Sequence, residues 1–561
     1  MICAGLLPAS DALAQKQAKD STLNRTVVVE NEYNPQVMDA FKVNVLPEVE
    51  EPTVAKRDIE YATALRPLTH WSAVPMDPIE RELLQRSYGR GYARAAYGNR
   101  NNTDFKFSYL WDITSKDRLG VMASVYGLSG NMPHWKEGNW DSRFFRTDIT
   151  LDYRHDFRNV ALKLGGSYAS QVFNYMPTAS AIETSRTDKQ HYTDAEGYIG
   201  VSSREGSNLP VEFAFQTGLR SFQRKYGYPE FRLGNILGEQ VGSESAFHTT
   251  GYLAAPLTEG QKIGVALTMD NMLGADMDLQ DYTLLQGNPY YEYQNDVFRL
   301  HAGAHVDWQL SYAKGIRVAP DVTLSCAFAD SYVFFAQAVG GSMLNDSRHL
   351  NDVSPYWMQF QQLATSHTRI DASLGFKGSP VDGLGFKAYL GYRVTKDDVF
   401  VYPGSLWQFT EGGQVIASTD YIYSFLLQDK SKVGYGGVDI KYAYKDWFDL
   451  GAQTLFQDWK VSDGNAPLLV LKPTFTLDLS ARVKIFKGLH VGGAYRYAKR
   501  HSTEGVETSP VNNIGVSGEY ELLNHVNVFV RFNNLLNKKY VDDAGYPEQR
   551  FHALAGISCR F

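Results

Sequence analysis

Three cysteines in 561 residues, Cys3, Cys326 and Cys559, are too few and too far apart for a disulfide framework, and no CxxC or zinc spacing joins them. Long apolar runs are missing as well. No stretch approaches the roughly 18 residues that a membrane-spanning helix needs. A helical membrane protein is thereby excluded, but a membrane barrel is not. A barrel strand needs only about 9–11 residues and gives half of them to polar side chains. The chain has no basic surplus: 55 Lys and Arg stand against 62 Asp and Glu, a net charge of -7, which argues against nucleic acid as a partner. No linker rich in Pro, Gly or Ser and no block of like charge divides it. Catalytic signatures are also missing. There is no GxSxG elbow, P-loop, HExxH or dinucleotide fingerprint, and the 13 histidines are dispersed. An enzyme is not expected, nor a cofactor. His301 and His305 share a strand face by parity, the one pair where metal or substrate contact is conceivable.

Aromatics and glycine are abundant instead, with Tyr 35, Phe 30 and Gly 48. From about Gly89 onward, alternating segments of about 10 residues are separated by polar turns. In Thr474–Phe486, residues Phe475, Leu477, Leu479, Ala481, Val483 and Ile485 fall on one face. Thr476, Asp478, Ser480, Arg482 and Lys484 fall on the other. Arg496 in the next segment, Arg531 in Val526–Asn533 and Arg560 in the last also oppose apolar neighbours. Burying unpaired charge costs several kcal/mol, so the charged faces must meet water. The apolar faces end in Tyr, Trp or Phe, as at a membrane interface. A soluble β-sandwich or propeller would explain the alternation, but not the switching between short turns and long loops.

The short turns include TSKDR, DFRN, TEGQ, FADSY, SPVDG, YKDW, FKGL and LNHV. The long loops include 131–141, 177–189, 227–240, 341–366, 397–432 and 535–549. The expectation is an all-β chain: a transmembrane antiparallel β-barrel of about 22 strands over 89–561, in the outer membrane of a Gram-negative-type bacterium. A count of roughly 14 to 20 follows if several segments are extracellular extensions. Both chain ends then lie on the periplasmic side.

Residues 1–14 read as the remnant of an export signal, ending in Ala12-Leu13-Ala14. Residues 15–88 read as a periplasmic or lumenal segment, extended and then briefly helical over 78–86, with Asp77 as N-cap and Pro78 at the first helical position.

The C-terminal stretch VNVFVRFNNLLNKKYVDDAGYPEQRFHALAGISCRF resembles the end of TonB-dependent outer-membrane receptors. Asn534, Leu535, Tyr540, Gly545, Tyr546, Pro547 and Arg550 match that family's pattern, as do Asn537, Lys538 and the closing Phe561. The resemblance implies a receptor or transport barrel taking up a solute, coupled or passive. It also implies that the final strand, with Phe551 and Phe561 at its ends, is an assembly signal read by the barrel-insertion machinery. Thr26, Val27, Val28, Val29 and Glu30 are loosely similar to the family's coupling box, implying an energy-coupling protein as partner. Against the family, only about 70 residues precede the first strand, and none looks like the usual N-terminal plug. A plugless structural subunit of an outer-membrane complex therefore stays open as an alternative, with a surface lipoprotein among its partners. Loop aromatics Trp135, Trp140, Tyr356, Trp357 and Trp407 are candidates either for ligand contact or for packing loops together.

Overall fold

The computed structural model describes residues 90–561 except 135–137, 179–188, 205, 208, 228–241, 275–279, 329–330, 359–361, 406, 410–414, 419–420, 502–507 and 542–544. The export signal, the Thr26–Glu30 segment, the 78–86 helix and Trp135 lie outside the described residues.

Alternation becomes pairing. One sheet contains 24 strands, of which Met176–Pro177 and Trp357–Met358 are two-residue additions, leaving 22 in the wall. Each wall strand pairs antiparallel with the next, and the first, Gly91–Gly98, pairs with the last, His552–Arg560. The register at this seam runs from Tyr92↔Arg560 to Gly98↔Leu554. Closure leaves no free sheet edge, which a bilayer would not tolerate.

The two faces of the wall differ as the alternation requires. Outward residues have no protein partner to cover them: Leu390 and Phe456 are each 59% exposed and Ile557 55%. So large an apolar surface on a closed barrel is a lipid-facing one. Inward residues pair their charges instead. Arg94 grips Asp104 at 2.7 Å, and Arg531 lies 3.7 Å from the same carboxylate. Arg482 reaches Glu519 at 3.5 Å, Arg496 reaches Asp478 at 3.8 Å, and Lys484 meets Asp446.

Strand length varies round the wall. Gly91–Gly98 and Val526–Asn533 have 8 residues each, while Leu384–Gly404 has 21 and Tyr421–Tyr444 has 24. Most short turns lie at the end where the chain enters the first strand and leaves the last. Lys445 and His525 adopt left-handed backbone there, with φ of 51° and 74°.

One expectation about loops needs correction. The segment 397–432 is largely strand: the hairpin keeps pairing as far as Gly404↔Tyr423, after a register shift between Thr395 and Asp398. Its apolar residues find cover on both faces. Val399, Val401, Tyr423 and Phe425 pack inward, while Phe400 packs with Val433, Trp459, Leu468 and Leu469 from the next connection. The connection at Asn99–Asn101 is the opposite case, a single turn at the end where long loops prevail. Arg100 and Asn101 hold that tight turn with φ of 56° and 51°.

Candidate functional site at the mouth of the barrel

The mouth opposite the chain ends is crossed from within. Its lid is the connection between the strands Tyr332–Met343 and Ser366–Val381, which folds inward and crosses to the far wall. The lid begins with a seven-residue helix, Ser347–Val353. Asp346 caps it by accepting from the His349 amide at 2.8 Å. The wall supplies a second carboxylate: Glu244 accepts from the Ser347 hydroxyl at 2.8 Å and from its amide at 3.1 Å.

Charge pairs fix the helix to the far wall. The Arg348 guanidinium donates to Asp194 at 2.7 Å and to Glu196 at 2.6 Å. Both carboxylates project inward from Lys189–Ser203. Arg220 reaches back to Asp346 at 3.0 Å, and Arg146 lies 3.9 Å from Asp352. Withdrawal from water pushes the Asp352 carboxyl up to about 6, opposed by Arg146 and Arg348. Burial pulls His349 below its usual value, opposed by Asp346.

Beyond the helix the lid turns apolar. Trp357 and Met358 add in parallel to Ser424 and Phe425 of the tall hairpin, and Ser424 donates its amide to the Tyr356 carbonyl at 3.0 Å. Arg224 stacks over the Trp357 ring at 4.3 Å. Around these residues gathers the largest buried apolar cluster of the described chain. It includes Trp140, Phe144, Phe173, Tyr192, Tyr423 and Tyr546. The return arm is pinned by amides. Gln362 exchanges two bonds with the backbone of Gln280, each at 3.0 Å, and Gln428 brackets Ala364 at 2.8 and 2.6 Å.

The last connection, between Val526–Asn533 and His552–Arg560, completes the closure. Asn534 organises it from a left-handed backbone (φ 48°), a conformation asparagine tolerates better than most residues. Its side chain donates to the carbonyls of Lys538 and Gln549 and accepts the Lys538 amide. Asn537 accepts the Phe551 amide at 3.2 Å. Gly545 has φ 83°, and a Cβ there would lie 2.3 Å from Pro403. This close approach seats Tyr546 against Tyr356, with its hydroxyl on the Ile422 carbonyl. Pro547 bridges to Val541, Tyr540 is buried against Ala498 and Val511, and Leu535 and Arg550 stay at the surface. Gln549 and Asn102 exchange reciprocal amide bonds at 2.8 and 2.9 Å, tying this loop to the first hairpin.

Among the other expected site residues, Phe561 stacks on Tyr109 at 5.9 Å and Phe551 on Phe532 at 6.4 Å, on the outer wall. Asp478, Arg482, Lys484, Arg496 and Arg531 form the inward pairs described above, and Arg560 is exposed. Trp140, Tyr356 and Trp357 are shut inside the lid cluster, at 5%, 3% and 1% exposure. The Trp407 side chain lies outside the described residues. His301 sits between Glu292 at 3.2 Å and Asp321 at 3.1 Å, with His305 3.7 Å from the same aspartate. No group of three or more metal-ligating side chains occurs among the described residues.

Neither a family profile nor a curated protein sequence matches the chain. Solved structures do. The siderophore receptor PirA from Acinetobacter baumannii superposes with a TM-score of 0.62 at 11% identity, over 85% of this chain and 81% of that one. The ferric enterobactin receptor PfeA gives 0.62 at 13% identity, over 84% and 81%. The copper transporter OprC gives 0.60 at 12% identity, over 85% and 81%. The barrel has the fold of these outer-membrane receptors and transporters. At such identity the likeness is one of fold. The Asn534–Phe561 pattern that first suggested the resemblance is the loop and strand that close this barrel. Sequence reasoning missed the lid anchors Asp194, Glu196, Arg220, Glu244 and Arg348. For the four on the wall the only local signal is charge on strand faces that point inward, and Arg348 on the helix has none.

Proposed function

We propose that this protein is an outer-membrane receptor or transport barrel that admits a solute from outside the cell, with its mouth held shut by its own lid until that solute displaces it. The observation that carries this reading is the lid. A segment joined to one side of the wall is latched through Arg348 to Asp194 and Glu196 on the other. The relation in fold to receptors for siderophores and to a copper transporter supports solute uptake as the class of function. An inner wall of paired charges suits a wet passage rather than a core.

Within this reading, uptake is coupled rather than passive, and the Thr26–Glu30 segment adds as a strand to an energy-coupling protein. Phe551 and Phe561 mark the last strand for the insertion machinery. The protein carries no catalytic function. A second reading has one observation in its favour: the lid packs into the largest buried apolar cluster of the described residues. That suits a closed structural subunit, holding partners such as a surface lipoprotein.

Planar-bilayer conductance separates the two. Wild-type protein and an Arg348→Ala variant are compared, with purified stoichiometry recorded. Brief openings that become frequent in Arg348→Ala support the gated barrel. Silence from both, with a stoichiometric partner retained on purification, supports the scaffold and overturns the gate.

A further inference from the structure

Both roots of the lid meet the wall over a patch of buried oxygens whose bonding is incomplete. Asp307 and Gln309 are successive inward residues of the strand Phe298–Leu310, and both are buried, at 0% and 1% exposure. Asn345, where the lid leaves the wall, and Thr365, where it returns, are equally withdrawn at 6% and 1%. Within the protein, Asp307 Oδ2, Gln309 Oε1 and Asn345 Oδ1 have no hydrogen-bond partner, and the Thr365 hydroxyl has only the Tyr282 hydroxyl beside it.

These groups belong to one parcel. Gln286 donates to Asp307 Oδ1 at 3.2 Å and to the Ser342 carbonyl at 2.9 Å. The Ser342 hydroxyl meets His367 Nδ1 at 3.0 Å, and that nitrogen stands 3.8 Å from Asp307 Oδ2, too far to bond it. Asn345 Nδ2 donates to the Ala364 carbonyl and to Ser366 Oγ, so its amide lies beside the returning arm. Arg317 is the strand neighbour of Asp307, yet it spends its guanidinium on the Thr365 carbonyl at 2.8 Å and on Asp397 at 3.1 Å. A carboxylate fully removed from water is thus left without a bonded cation. The free atoms are a carboxylate oxygen and two carboxamide oxygens, and the Thr365 hydroxyl keeps a lone pair beside them. That is the donor set of a hard cation, completed by backbone carbonyls or water.

We propose that this parcel binds calcium or a similar hard cation, with Asp307 as the charged ligand and Gln309, Asn345 and Thr365 as neutral ones. The ion staples both roots of the lid to the wall, and its binding does not depend on what the barrel carries.

The test uses detergent-solubilised full-length protein stripped with a chelator. Terbium luminescence reports occupancy, because the Tyr282 ring lies beside Thr365 and can sensitise the ion. The expected result is a saturable signal displaced by calcium. Asp307→Asn should weaken it at least tenfold and Asn345→Ala several-fold. Heat-modifiable migration on SDS gels confirms that each variant still forms the barrel. No saturable signal in wild-type protein, as for a parcel filled by water alone, overturns the proposal. Equal binding by wild type and both folded variants, as for ions held elsewhere on the protein, overturns it too.

Discussion

Tyr546 lies flat on Tyr356, with ring centroids 3.5 Å apart and planes within 7°. One ring comes from the last loop and the other from the lid, so this contact joins the two segments that close the mouth. Tyr546→Ala removes the stack and leaves a hole beside Trp140. Truncating a buried aromatic costs about 3–5 kcal/mol. The expected outcome is a barrel of normal heat-modifiability whose lid is cut by trypsin at Arg348, a site protected in wild type.

Gly545→Val tests the same junction through the backbone. A side chain there meets Pro403, and the left-handed φ is strained for any residue but glycine. The two effects together cost about 1–3 kcal/mol, with the β-branched residue at the upper end. Protease sensitivity should appear at Lys538 and Lys539 before it appears in the wall.

Arg348→Ala leaves Asp194 and Glu196 facing each other without their shared cation. Breaking a buried pair by removing one partner costs about 3–5 kcal/mol, and less where solvent reaches the group. Lid opening, followed as labelling of a cysteine placed at Met358, should accelerate by at least tenfold. Arg348→Lys should restore only part of the protection, because an ammonium cannot serve both carboxylates with a fork.

Asp352 and His349 make the lid respond to pH in opposite senses. The Asp352 carboxyl is raised when the lid is docked, so docking is favoured while it is protonated. That contribution is lost as pH rises from about 4 to about 6. His349 is lowered when docked, so docking weakens as pH falls through its free value near 6.5. His349→Gln isolates the first effect. In that variant, cysteine labelling at Met358 should quicken between pH 4 and 6 and level off above about 6. Adding Asp352→Asn should remove the slope. Asp352 keeps 39% of its side chain exposed, so solvent damps the change.

At the seam, Gly91 is covered by the Phe561 ring, which would lie 2.4 Å from a Cβ at that position. The Gly91 amide donates to the Phe561 carbonyl at 2.7 Å, and the Phe561 amide returns the bond at 3.0 Å. Gly91→Leu should displace the ring and slow folding into lipid vesicles several-fold, with little change once the barrel has formed. Deleting Phe561 should slow it further.

The wall was readable because its rule is local. Leu477, Asp478 and Leu479 declare opposite faces within three residues, and repetition of that pattern supplied the strand number. The closing loop was readable through Asn534, Gly545 and Tyr546, whose types suit a left-handed turn, a close approach and a stacked ring. The lid was not. Arg348 and Asp194 are separated by 154 residues, and nothing near either one names the other. The tall hairpin was mistaken for loop because Asp397, Asp398, Asp429 and Lys430 interrupt its apolar run. Only the structure shows that Val399 to Val401 and Tyr423 to Phe425 are covered again above those charges.

The unequal strand lengths have a consequence for the surrounding lipid. Strands of 8 and 9 residues at about 3.3 Å each, tilted by about 40°, give the seam a height of about 20–23 Å, short of a hydrocarbon layer of about 30 Å. Acyl chains must shorten or splay along that side, while the tall hairpin of Leu384–Gly404 and Tyr421–Tyr444 rises well clear of the headgroups. The seam is therefore the line along which the bilayer is thinnest, and a neighbour of small hydrophobic thickness would gather there first.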